Sequence, residues 1–500
     1  MGLKVSGLNG RVLQREWLSN VGPDILAGLL VALALIPEAI GFTIYAGLDP
    51  KIGLFASFTM SVTIAVFGGR TAMISGAAGA LALLFKPLVA SHGFDYVIAT
   101  TILTGILQLI WSAIGLGKQL RFVSRGVMVG FVNALAILIF QAQLPELDNA
   151  KPAVYIMVAI ALAIIYILPR FTTIVPSPLV AIVLLTGVAI TQGLDVPTIG
   201  DKGELPTSLP SFMLPDVPFN LETLGVILPY AVMLSIVGLL ESFLTANVVD
   251  DLTDSFSDKN REATGQGLAN IVSGFFAGMP GCGMIGQTVI NIQSGGRTRL
   301  STLSTGVFLM FLTLVMSRWV QQIPMAALVS VMIMVSIGTF NWASITKIRK
   351  LPLSETVTML ATMGATLITH NLAIGVMVGI TLSTIFFSSK IAQLVFVDKT
   401  LSEDALERTY SVAGQIFFVS VPDFIDFFDF KEDIERVTVD LTQAHLWDQS
   451  AVEAIDKIVL TFRRNGIETQ LIGVNEASAT LIDKLAVHDK DPSLQDLSLH

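Results

Sequence analysis

The sequence predicts a polytopic α-helical membrane protein with about fourteen transmembrane segments in a 7+7 inverted repeat, followed by a small cytoplasmic α/β domain. Three observations carry this. Of 500 residues, 53% are hydrophobic and only 14% charged, and the mean hydropathy is +0.72; that is more apolar surface than one soluble core holds. The apolar runs between Asp24 and Val397 fall into stretches near the ~20 residues that cross a hydrocarbon layer, and lipid satisfies no backbone hydrogen bonds, so they are helices. The charge then changes: residues 398–500 hold 9 Lys and Arg against 20 Asp and Glu, net −11, leaving 21 against 19, net +2, in residues 1–397.

Residues 1–23 form a cytoplasmic segment carrying Lys4, Arg11 and Arg15, with no cleavable signal pattern before Asp24. The transmembrane domain occupies 24–397. Its spans are 24–46, 52–68, 76–87, 95–115, 126–143, 153–169 and 177–192, then 223–248, 263–279, 286–294, 299–317, 324–340, 354–369 and 372–390. With the N-terminus inside, the cytoplasmic loops receive Arg70, Lys118, Arg121, Arg125, Arg170, Lys259, Arg261, Arg297, Arg299, Lys347, Arg349 and Lys350. The outer loops receive only Lys51, Lys86, Lys151, Lys202 and Arg318. This bias supports both chain ends in the cytoplasm; the membrane expected is the inner (plasma) membrane.

The outer loop Gly193–Leu221 separates the repeats, about 24–192 and 223–390. An odd number of spans in each half inverts the second against the first and implies alternating access. Glu38 and Glu241 are the lone charges of the runs Ile25–Leu48 and Thr223–Val249. A charge near a bilayer centre costs at least ~2.5 to 3.5 kcal/mol, so such residues face a protein interior or a water-filled cavity and serve transport more often than structure. The third and tenth segments are short and interrupted by small residues, Ser75, Gly76, Ala77, Ala78 and Gly79 in one and Gly281, Gly283 and Gly286 in the other. Small residues in membrane helices usually serve close packing, but corresponding placement in both halves favours broken helices whose N–H ends form an anion site.

Residues 398–500 form a linker and an α/β domain. Gly414–Val421, Val437–Leu441 and Gln470–Val474 pattern as strands, and Ala451–Arg464 and Glu476–Leu485 as helices. The acidity of this tail argues against nucleic acid and anionic lipid surfaces as its partners. Cys282 is the only cysteine, which excludes an intramolecular disulfide, and its glycine-rich surroundings suggest a packing role. The five histidines have no metal-ligand spacing and no nucleotide-binding motif occurs, so neither an enzyme nor a metal or other cofactor is expected.

Four stretches resemble the SulP family of anion transporters, the sulfate permease, pendrin and prestin group. They are Ile36-Pro37-Glu38 through Phe55, Leu239–Ala246, Asn270–Thr298 ending Gln-Ser-Gly-Gly-Arg-Thr, and the tail with Val439-Asp440-Leu441 and Asp448-Gln449-Ser450-Ala451, which is similar to a STAS domain. The resemblance implies core and gate domains, a homodimer, and substrate bound between the third and tenth segments, at Ser75, Gly76, Ala77, Ala78, Gly79, Gly286, Gln287 and Thr288. Phe42, one turn after Glu38, resembles the aromatic residue lining the family's pocket. Ser450 matches a serine phosphorylated in some bacterial regulators, although here it is expected to cap the helix, with Glu453 completing a capping box.

Several animal members carry a basic residue where Gln287 stands, and many relatives are neutral where Glu38 stands. An anion entering beside two carboxylates is repelled unless a proton or a cation enters too, and burial in general favours the neutral carboxyl. The expected function is therefore proton-coupled symport of a small carboxylate, dicarboxylate or inorganic oxyanion, with Glu38 and Glu241 as the proton-coupling residues. The alternatives are a sodium-coupled bicarbonate symporter using Glu241, Thr245 and carbonyls near Gly286, a proton-coupled nucleobase transporter, and a non-transporting sensor signalling through the tail.

Overall fold

A computed structural model describes residues 10–115, 123–172 and 176–488, with side chains from Gln14 onward. Lys4, Lys118, Arg121 and His500, and the Arg11 side chain, lie outside the described residues. The chain divides into two compact units, Met1–Ile380 and Thr381–His500.

The first unit begins with α1 (Gly10–Trp17). Seven spans follow: α2 (Val21–Ala46), α3 (Pro50–Phe67), α4 (Gly79–His92), α5 (Phe94–Ala113), α6 (Arg125–Gln141), α7 (Pro152–Ile167) and α8 (Ser177–Gln192). The second set is α9 (Leu221–Thr253), α10 (Lys259–Phe275), α11 (Ile285–Gln293), α12 (Arg299–Val315), α13 (Met325–Thr339), α14 (Leu353–Thr369) and α15 (Leu372–Ala392), the last running across the boundary between the units. Among the described residues, seven helices are long and apolar enough to cross a membrane by themselves.

The third and tenth segments are broken. Strand β1 (Ser75–Ala77) precedes α4 and strand β2 (Gly281–Gly283) precedes α11, and the two pair antiparallel with Gly76 opposite Cys282. The third span thus starts at Gly79, later than hydropathy indicated, because its first residues are extended. The ninth starts earlier, at Lys259, because the Asp258 side chain accepts the Arg261 N–H at 3.0 Å and caps a polar first turn that hydropathy could not detect.

Two layers result. Helices α2 to α5 pack with α9 to α12, and α6 to α8 pack with α13 and α14, the expected core and gate. Within the first layer, a Cβ on Gly105 of α5 would lie 2.5 Å from the Gly267 carbonyl oxygen of α10, so only glycine allows this approach.

The second unit carries a sheet in the order β3 (Phe396–Leu401), β4 (Glu407–Ile416), β5 (Arg436–Leu446), β6 (Glu468–Ile472). The β3–β4 pair is antiparallel and the other two pairs are parallel. Helices α16 (Val421–Asp426), α17 (Gln449–Arg464) and α18 (Glu476–Leu485) complete it, and Tyr410, Phe424 and Phe462 are buried in its core. Two expectations fail here. The strand expected at Gly414–Val421 is β4, which ends at Ile416, after which Ser420 bonds back to Phe417 and turns the chain into α16. The cap of α17 is Asp448, whose carboxylate accepts the Ala451 N–H at 3.0 Å, so Ser450 lies inside the first turn and Glu453 instead accepts from Gln449.

Candidate functional site

The β1–β2 crossing is held by side chains from three neighbouring helices. From α3, Ser57 Oγ accepts the Ala77 N–H at 3.1 Å and Ser61 donates to the Ser75 carbonyl at 2.9 Å. From α9, Ser242 accepts the Gly283 N–H at 2.9 Å and Thr245 donates to the Gly283 carbonyl at 3.1 Å. From α10, Asn270 bonds Gly281 twice, accepting its N–H at 2.9 Å and donating to its carbonyl at 3.1 Å. A two-stranded element of three residues per strand has too few hydrogen bonds to persist alone. These serines, threonines and the asparagine supply the missing partners.

The crossing leaves the N-termini of α4 and α11 at one cavity of about 460 Å³. Neither half-helix has a side-chain cap, and no hydrogen-bond partner stands on the N–H groups of Gly79, Ala80, Ile285, Gly286 or Gln287 among the described residues. Side-chain caps serve α9, α10 and α12, from Asn220, Asp258 and Thr298, while α2, α3, α5 to α8, α13 and α14 also start without one; what sets α4 and α11 apart is that their open ends share a cavity. Open N–H groups with the partial positive charge of a helix start are a binding surface for negative oxygen.

Glu38 and Glu241 both line this cavity. Glu241 is hydrogen-bonded from the tenth segment by the Cys282 thiol at 2.9 Å, and Glu38 lies beside the Gln287 side chain of the same segment. No Lys, Arg or His stands among the lining residues. Phe42 lines it too, and its ring lies over α4: a Cβ on Gly79 would come 2.5 Å from Phe42 Cε1. A Cβ on Gly286 would meet nothing within 4 Å and would project into open space. Apolar residues of the second layer, Phe131, Leu135 and Met334, form the facing wall.

Of the residues singled out in the sequence, Glu38, Phe42, Ala78, Gly79, Glu241, Gly286 and Gln287 meet at the cavity. Ser75, Gly76, Ala77 and Thr288 stand behind it and hold the crossing instead. Ser75 Oγ accepts from Gln266 Nε2 at 2.8 Å, Gly76 packs against Ser57, Ala77 bonds Ser57, and Thr288 Oγ1 accepts the Ile74 N–H at 2.9 Å. Sequence reasoning missed Asn270 and Gln266. Their signal was available: Glu262, Gln266 and Asn270 recur every fourth residue, a polar stripe on one face of a membrane helix.

The fold and this cavity define a membrane carrier for anions. The chain belongs to the sulfate permease family, whose model matches residues 22–148 and 144–362, and a STAS domain matches 398–497. It is 54% identical over 478 residues to a Bacillus subtilis (strain 168) protein named "Putative sulfate transporter YbaR", covering 96% of this chain and 100% of that one. It is 30% identical to the "Bicarbonate transporter BicA" of Picosynechococcus sp., covering 65% of this chain and 62% of that one. Among solved structures, the transmembrane domain of a cyanobacterial BicA matches with TM-score 0.64 at 26% identity, covering 72% of this chain and 98% of that one. SLC26A9 shares the fold with TM-score 0.78 at 15% identity, covering 96% and 88%.

Proposed function

We propose that the chain is a secondary active transporter that carries a small anion, a carboxylate, dicarboxylate or inorganic oxyanion, together with a proton by alternating access. One observation carries the reading: two uncapped helix N-termini and two carboxylates share a cavity with no basic side chain in its lining among the described residues. The N–H groups attract an anion, and the carboxylates repel it at short range while both are ionised. A proton on Glu241 or Glu38 lessens that repulsion and offsets one negative charge, so anion and proton occupy the site together and cross together.

The geometry supports the following roles. Backbone N–H groups of Gly79, Ala80, Gly286 and Gln287 bind the anion, and Phe42 presents a ring edge beside it. Glu241 is the proton carrier, since its partner Cys282 is a weak donor that leaves the carboxyl free to gain and lose a proton. Glu38 shapes the site through Gln287. Sliding of the α2–α5/α9–α12 layer against the α6–α8/α13–α14 layer carries the site across the membrane. The distribution of basic loops supports an N-terminus and a STAS domain in the cytoplasm; the membrane proposed is the plasma membrane and the assembly proposed is a homodimer.

Uptake of labelled bicarbonate, sulfate and small dicarboxylates into proteoliposomes tests this. An inward proton gradient is expected to drive accumulation of at least one of them, with no effect of sodium. Accumulation that requires sodium contradicts proton coupling, and no uptake of any small anion contradicts transport.

A further inference from the structure

A second cavity, about 320 Å³, lies at the seam between the two layers, away from the site described above. One wall is Ile36, Pro37 and Ile40 of α2, the other includes Val183 and Gly187 of α8, and Trp319 stands at one end. The only hydroxyl in the lining, that of Thr186, donates to its own helix at Ile182 O, 2.6 Å away. Apart from the Trp319 indole, no side chain in the lining offers a free polar group, and such a surface disfavours water and polar ligands. The Trp319 indole sits at the end where an amphipathic ring marks the boundary between lipid and water.

We propose that this groove is a binding site for one acyl chain of a membrane phospholipid. Along α8 the lining runs from Leu179 to Ile190, which at about 1.5 Å per residue is about 16 Å, half of a ~30 Å hydrocarbon layer and hence the depth of one leaflet. Gly187 opens the slot, because a Cβ there would meet nothing within 4 Å. The groove backs directly onto the anion cavity through α2, where Ile36 and Pro37 face the tail and Glu38 faces the site. Because its walls come from both layers, the tail is a removable wedge that must shift whenever α2 slides past α8.

Native mass spectrometry of the full-length chain released from nanodiscs of palmitoyl-oleoyl phosphatidylglycerol tests the site without reference to any transported anion. The unmodified chain is expected to retain one phospholipid under conditions that strip annular lipid. Gly187→Phe, which fills the slot, is expected to lower retention at least fivefold, and Val183→Trp fills it from the next turn if Gly187→Phe fails to fold. Gly225→Phe on α9, where a side chain also meets open space, is expected to retain the lipid. No retained phospholipid, equal retention after filling, or equal loss in Gly225→Phe overturns the proposal, as does dissociation of a dimer on filling, which would assign the groove to a second copy.

Discussion

The Cys282 thiol donates to the Glu241 carboxylate at 2.9 Å. This bond joins an acid in the cavity wall to the extended stretch from which a half-helix hangs. Because Gly76 of β1 lies opposite Cys282 of β2, a movement of the Glu241 carboxyl reaches the backbone that sets both helix N-termini. Cys282→Ala is expected to leave the fold intact and to change the pH at which anion uptake is half-maximal, whereas a thiol that merely fills space would leave that pH unchanged. Uptake measured from pH 5 to 8 reads the difference.

Gly79 and Gly286 both stand in the first turn of a half-helix but predict opposite outcomes. Gly79→Ala drives a methyl into the Phe42 ring at 2.5 Å, an overpacking expected to cost about 1 to 3 kcal/mol and to slow uptake, with Phe42→Leu in the same chain restoring stability. Gly286→Ala finds open space, so its thermal midpoint is expected to stay within about 1 °C while the methyl weakens anion binding. Thermal unfolding and counterflow on the same samples separate the two.

Asn270→Ala removes both bonds to Gly281 and the donor to Gln108 Oε1, 2.9 Å away. It leaves buried polar groups without partners, which is expected to cost about 2 to 4 kcal/mol. A midpoint unchanged from the unmodified chain would show that the crossing does not depend on this side chain.

In the STAS domain, Asp448→Ala is expected to destabilise α17 by about 1 kcal/mol through loss of its cap. Ser450→Ala is expected to stay within about 0.5 kcal/mol, since Ser450 accepts no cap bond. Hydrogen exchange at the first turn of α17 in the full chain resolves the two.

The Asp440 carboxyl is held below the usual carboxylate range by the Thr442 hydroxyl at 2.6 Å and then by the Thr442 N–H at 2.9 Å. A carboxyl lowered by folding stabilises above its unfolded value near ~3.9, and that contribution is lost as pH falls through the lower folded value. Asp440→Asn is expected to reduce the stability of the second unit at pH 7 by less than about 1 kcal/mol, given solvent screening. The gap between the two proteins closes as the pH is lowered past ~4, and a gap that widened instead would reverse the assignment.

What could be read from sequence was what leaves a mark on local pattern. Glu38 and Glu241 stood out as single charges in apolar runs, and the third and tenth segments as runs too short and too rich in small residues to continue as helices. Partners set by tertiary contact left little mark. Cys282 looked like packing because its acceptor lies 41 residues away on another helix, and Ser75 and Thr288 looked like lining because adjacency in sequence does not say which side of an extended strand faces the cavity. In the tail, β3 was missed because its side chains are mostly exposed and carry no burial pattern. The cap of α17 was shifted by two residues because Asp448 and Ser450 are both good capping types, and only the extended backbone at Asp448, φ −145°, distinguishes them.

The central claim is that a proton on Glu241 accompanies the anion, and the most direct measurement is anion accumulation against exchange in Glu241→Gln proteoliposomes. The account predicts that the unmodified chain accumulates anion several-fold under an inward proton gradient, while Glu241→Gln still exchanges labelled for unlabelled anion but no longer accumulates it. Accumulation by Glu241→Gln as steep as that of the unmodified chain would contradict it.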